Sequence, residues 1–144
     1  MKSAARSIEI DVPIDRVYAL LVDFPSYPGF VPAQTRADVL EATDGGWRVR
    51  FQLSVARKLD YILDLTGESP TGLSWTLVEG DMMEKNDGGW TLEPIDDGRR
   101  TRATYGLEVE LKGFVPRSVT QGLVERTLPL TLEAFKKEAE RRYG

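Results

Sequence analysis

Trp47-Arg-Val-Arg-Phe-Gln-Leu-Ser-Val55 decides the fold class. Trp47, Val49, Phe51, Leu53 and Val55 alternate with Arg48, Arg50, Gln52 and Ser54. That is the period of a β-strand with one apolar and one polar face. The alternation returns downstream. Tyr61, Leu63 and Leu65 alternate with Asp60, Asp64 and Thr66; Leu73, Trp75 and Leu77 follow, then Trp90 and Leu92. Ala103, Tyr105, Leu107, Val109 and Leu111 stand against Arg102, Thr104, Glu108 and Glu110. Asp44-Gly-Gly, Ser69-Pro-Thr-Gly, Asp87-Gly-Gly and Asp96-Asp-Gly punctuate these runs and read as hairpin turns. Ala33–Lys112 is therefore expected to be an antiparallel meander of about six strands. Asp-Gly-Gly-Trp occurs at Asp44–Trp47 and again at Asp87–Trp90. It reads as two similar turns, each feeding a strand with an aromatic anchor.

Upstream, Ile8, Ile10 and Val12 alternate with Ser7, Glu9 and Asp11, giving one more strand. Pro13 suits the first turn of a helix, and Val17, Leu20, Leu21 and Phe24 follow at helical spacing. Phe24–Pro32 is an aromatic, proline-rich connector. Downstream, Pro116–Arg142 reads as one long helix. Val119, Leu123, Leu130 and Ala134 share a stripe, which Val124, Leu128, Thr131 and Phe135 widen. Pro129 removes a backbone donor and is expected to kink it.

A sheet with one polar face must bury the other, and only short helices and one long helix can cover it. The economical arrangement is α+β: a curved antiparallel sheet of about seven strands wrapped around a long C-terminal helix, with two short helices after the first strand. A single helix fills the trough of a curved sheet incompletely. An internal cavity follows, packed at one end and hollow at the other.

Composition narrows the chemistry. The 144 residues fit a single domain, 1–144, and 41% apolar content supports a substantial core. The chain has no cysteine and no histidine, which removes disulfides, thiolates, histidine triads and most zinc sites. No metal or cofactor is expected. The net charge of −4 speaks against nucleic acid as the main partner. No stretch approaches the ~20 apolar residues of a membrane span, and no secretory signal is visible. The expectation is a cytoplasmic protein, with room for transient membrane contact and with its oligomeric state open.

Val12–Pro32 (VPIDRVYALLVDFPSYPGFVP) resembles the signature of the coenzyme-Q-binding and polyketide cyclase/dehydratase branch of the START-like superfamily. In that branch a short helix precedes an Asp, an aromatic and a Tyr-Pro-x-Phe-x-Pro connector, matched here by Tyr27, Pro28, Phe30 and Pro32. Gly80–Pro94 is similar to the family's glycine-containing strand entry with its Trp. The resemblance covers essentially the whole chain and implies the helix-grip (START-like) fold. It implies three functional readings: binding or transport of a polyketide, isoprenoid quinone or lipid-like molecule; a polyketide cyclase/dehydratase working without metal; or a protein-interaction module like the ribosome-associated toxins.

The residues expected to line the cavity are Phe30, Phe51, Tyr61, Trp75, Trp90, Tyr105, Leu123 and Thr127. Phe51, Tyr61, Trp75, Trp90 and Tyr105 fall on inward strand positions, too many to pack solidly under one helix, and Phe30 belongs to the connector. Thr127, with Thr120 and Thr131, either bonds back to helix carbonyls or supplies polar points to an apolar pocket. The connector either covers one end of the cavity or packs on the first helix. Glu79, Asp81 and Glu84 read as a solvated loop or a carboxylate site. Arg57 and Lys58 read as a soluble turn or an anionic head-group contact at the cavity mouth. No catalytic residue stands out.

Overall fold

In the computed structural model, the residues described are 2–54, 58–112 and 116–144, with side chains for all of these except 2–4, 117 and 119–124. Seven strands form one sheet: β1 (Lys2–Ile10), β2 (Gln34–Thr43), β3 (Gly46–Ser54), β4 (Lys58–Glu68), β5 (Gly72–Gly80), β6 (Met83–Ile95) and β7 (Arg100–Leu111). Helix α1 (Ile14–Leu21) and a 3-10 segment (Phe24–Gly29) follow β1, and α2 (Arg117–Tyr143) ends the chain. The strand order is β1-β7-β6-β5-β4-β3-β2, antiparallel throughout. This is the helix-grip arrangement. The meander from β2 to β7 follows the chain, and β1 adds itself beside β7. Helix α1 and the 3-10 segment carry the chain from one edge of the sheet to the other.

Register shifts interrupt the ladder at Gln34/Arg36 and Val39/Glu41, at Ile62/Leu63 and at Met83/Lys85. Bulges of this kind bend strands and deepen the twist, so the sheet curves around its apolar face. Ile10, Val12, Leu20, Leu21, Phe24 and Val49 are fully buried where that face meets α1.

Salt bridges and hydrogen bonds fasten the last turns of α2. Lys136 Nζ donates to the Glu9 carbonyl at 2.8 Å and to Glu140 Oε2 at 2.7 Å, while the Asp11 amide donates to the same Glu140 oxygen at 2.9 Å. Arg142 bonds Glu138 at 2.8 Å and Asp23 at 3.1 Å, joining α2 to the segment that follows α1. Hydrogen bonding from Arg141, then from Arg142, holds the Glu138 carboxyl down at about 2.

Two expectations are corrected here. Asp87-Gly88-Gly89 is not a turn; it lies inside β6. The β5–β6 turn is at Asp81-Met82, where Met82 adopts φ 60°. The glycines serve close approach instead. A Cβ on Gly88 would lie 2.5 Å from the Gly106 carbonyl oxygen, and one on Gly89 would lie 2.9 Å from that of Leu73. The first Asp-Gly-Gly is a turn, with Gly45 at φ 81°, and so is Asp96–Gly98.

The second correction concerns α2. Leu130 is 57% exposed, and Leu128, Thr131, Leu132, Phe135 and Ala139 form the buried arc. The apolar stripe ran over half the circumference, so sequence periodicity could not say which half faces the sheet. At about 100° per residue, Leu130 points some 200° away from Leu128.

Candidate functional site

The concave face of the sheet is built by alternation. Leu59, Tyr61, Leu63 and Leu65 point inward from β4, Leu73 and Trp75 from β5, and Val49 and Phe51 from β3. Helix α2 crosses above with Thr127, Thr131 and Phe135, and the residues after the 3-10 segment, Val31–Gln34, complete the wall.

One part of this space is filled by rings. Phe24 meets Trp47 at 5.4 Å and Tyr27 at 5.6 Å between centroids, and Phe135 meets Trp90 at 5.0 Å and Tyr27 at 5.3 Å. The rest is a cavity. The space open to the centre of a water molecule is about 170 Å³. One water needs roughly 10–15 Å³ by that measure, so this is a chamber rather than a packing defect. It reaches the pairs Leu53–Leu59 and Met83–Leu111 at the strand ends.

Six of the expected residues surround this one cavity: Phe51, Tyr61, Trp75, Trp90, Tyr105 and Thr127. Phe30 does not. Its ring is held outside by Phe135 at 5.0 Å and Tyr27 at 5.9 Å, and it borders a surface groove with Leu130 and Ala134. Phe135 and Tyr27 occupy the inner position that Phe30 was expected to take. The side chain of Leu123 and all of Arg57 lie outside the described residues. Lys58, Glu79, Asp81 and Glu84 are exposed, and Asp81 accepts a bond from the Asp60 amide at 3.1 Å.

Among the described residues no charged side chain lines the cavity. Its polar points are amides, phenols and threonines. Trp75 Nε1 donates to Asn86 Oδ1 at 3.2 Å, and Gln34 Nε2 donates to the Tyr61 hydroxyl at 2.8 Å. Tyr27 is committed elsewhere, its hydroxyl donating to the Leu21 carbonyl. Burial keeps all three phenols protonated. Desolvation pushes Tyr61 up to about 12 against the opposing bond from Gln34. It raises Tyr105, with a further contribution from the nearby Tyr61, and raises Tyr27 well above the usual range.

Gln34 and Asn86 were missed from the sequence. Asn86 was legible in principle: counting back from inward Trp90 by twos passes Gly88 and reaches Asn86. Reading Asp87–Gly89 as a turn broke that count. Gln34 gave no signal, because it precedes a bulge that resets the phase of β2.

The family model for "polyketide cyclase / dehydrase and lipid transport" matches residues 10–136. No curated protein matches the sequence. Among solved structures, a START superfamily protein from Mycobacterium smegmatis superposes with a TM-score of 0.86 at 20% identity, covering 96% of this chain and 97% of that one. The Zhui aromatase/cyclase from Streptomyces sp. R1128 gives 0.86 at 22% identity, covering 98% and 94%. A STAR-related lipid transfer protein from Xanthomonas axonopodis gives 0.79 at 19%, covering 96% and 85%. At these identities the likeness speaks for the fold. Taken with the family match over most of the length, the curved sheet gripping α2 places the chain in the polyketide cyclase/dehydrase and lipid transport family of the START-like superfamily.

Proposed function

We propose that the protein binds or carries an apolar small molecule (a polyketide, an isoprenoid quinone or a lipid-like compound) in the chamber beneath α2. The observation that carries this reading is a hollow of about 170 Å³ with an apolar wall and no charged lining residue among those described. A mostly apolar pocket with a few polar points is the usual form of a small-molecule site. Burial of a ligand's apolar surface supplies the affinity, roughly 25 cal/mol per Å² before the costs of association.

A polyketide cyclase is the alternative, and Tyr61 and Tyr105 are the groups that favour it, as neutral phenols facing the ligand space. Catalytic proton transfer works best with a group whose pKa lies near the working pH. The described lining offers amides, threonines and raised phenols, so binding is the better supported reading. Among the described residues no helix is long and apolar enough to cross a membrane. We take residues 1–144 as one carrier domain working in the cytoplasm.

Leu107→Trp tests the cavity. Leu107 lies on the inward face of β7 and borders the chamber. In a filled core the added ring costs about 1–3 kcal/mol through overpacking. Here the expected cost is below about 1 kcal/mol, with uptake of a fluorescent apolar probe falling sharply. A strongly destabilised variant, together with a wild type that takes up no probe, would refute the reading.

A further inference from the structure

The Gln34–Tyr61 pair carries a polar deficit. Gln34 Nε2 donates to the Tyr61 hydroxyl at 2.8 Å, and Gln34 Oε1 is buried with no hydrogen-bond partner. A buried carbonyl left this way is costly, and few folded proteins tolerate many. Exchanging the amide oxygen and nitrogen does not remove the deficit. The phenol would then donate to the carbonyl, and the NH2 group would be left unpaired. With Gln34 as donor, the Tyr61 O–H proton also has no acceptor among the described residues, so the pair is short of both a donor and an acceptor, and Gln34 and Tyr61 both line the chamber.

A hydroxyl is the group that satisfies both cases, because it both donates and accepts. A carboxylate only accepts, and it would enter a space whose described lining holds no cation. The neutral donors of the wall can bond to it but supply no countercharge for the water it loses. A plain hydrocarbon would leave the deficit as it is. Two further features point the same way. Asn86 Nδ2 faces the weakly accepting Met83 sulfur at 4.0 Å, and Asn86 and Tyr105 line the same chamber. The polar points of the chamber are thus neutral and concentrated on a few residues. The phenols stay protonated because burial raises them, Tyr61 to about 12.

We infer that the chamber selects an uncharged apolar ligand bearing a hydroxyl, which docks on the Gln34–Tyr61 pair, and that it rejects the corresponding carboxylate. This rests on the binding reading above and sharpens it. Free fatty acids and other ionised acids are then poor ligands, whereas neutral phenols and alcohols of matching bulk are good ones.

The test uses three probes with one ring system, 2-naphthol, naphthalene and 2-naphthoate, titrated calorimetrically into the full chain at pH 7. The expected order is 2-naphthol tightest, naphthalene about tenfold weaker, and 2-naphthoate weakest; tenfold is the worth of one well-placed hydrogen bond. In the double variant Gln34→Leu, Tyr61→Phe, the ratio of 2-naphthol to naphthalene affinity should fall to about one, with the fold checked by circular dichroism. If naphthalene and 2-naphthol bind equally to the wild type, or 2-naphthoate binds as well as 2-naphthol, the inference is overturned and the binding reading stands. If none of the three binds, the binding reading itself fails. Should the double variant bind nothing, the wild-type ranking alone decides.

Discussion

Gly88→Ala is expected to destabilise the protein by about 3 kcal/mol or more, at the upper end of what overpacking costs. The new methyl would lie 2.5 Å from the Gly106 carbonyl oxygen and 2.7 Å from Cζ2 of Trp75. The carbonyl belongs to β7, paired with β6 along its whole length, and cannot retreat without breaking the ladder. The indole cannot swing aside freely either, since its Nε1 is bonded to buried Asn86. Gly29→Ala is the control, because a Cβ there meets nothing within 4 Å and its cost should be small. Urea unfolding decides the matter: the midpoint should fall steeply for Gly88→Ala with little change in slope, and hardly move for Gly29→Ala. Equal midpoints for both variants would mean that the β6–β7 approach is looser than described.

Phe135→Ala should cost about 3–5 kcal/mol, the range for truncating a well-buried phenylalanine. Its ring is 3% exposed and touches Phe30, Trp90 and Tyr27 at centroid distances of 5.0, 5.0 and 5.3 Å. Those partners belong to the connector after α1 and to β6, so one side chain joins α2 to both. Thermal melts followed by circular dichroism should show a large drop in midpoint. The truncation also opens the wall between the ring cluster and the chamber, so bulkier apolar probes should gain affinity in the fraction that remains folded. A loss below about 1 kcal/mol would show that the ring cluster does not hold α2 in place.

These two variants also show what sequence could and could not reveal. The strands from Trp47 to Leu111 were legible because one face packs and the other meets water, which writes a period of two into the chain. The long helix was legible from its apolar content, but its orientation was not. Leu130 and Leu132 are equally apolar, and only the packed partner distinguishes the exposed one from the buried one. Gly88 and Gly89 misled for a physical reason. Glycine serves both turns and close backbone approach, and sequence alone does not separate the two uses. Within the site, the aromatic wall followed from strand parity. The neutral amides did not, since Gln34 and Asn86 look like surface residues until a bulge and a glycine pair are placed correctly. Phe30 was expected in the wall because the connector lies close to it. Its neighbour Tyr27 turns inward instead, anchored by its hydroxyl on the Leu21 carbonyl.

The most direct test of the central claim is native mass spectrometry of the chain purified from its own host, repeated after incubation with 2-naphthol. A ligand-binding chamber predicts one neutral apolar adduct per chain, carried from the host or acquired on incubation, lost on denaturation and much reduced in Leu107→Trp. A bare polypeptide mass in both preparations, for wild type and variant alike, would contradict the account.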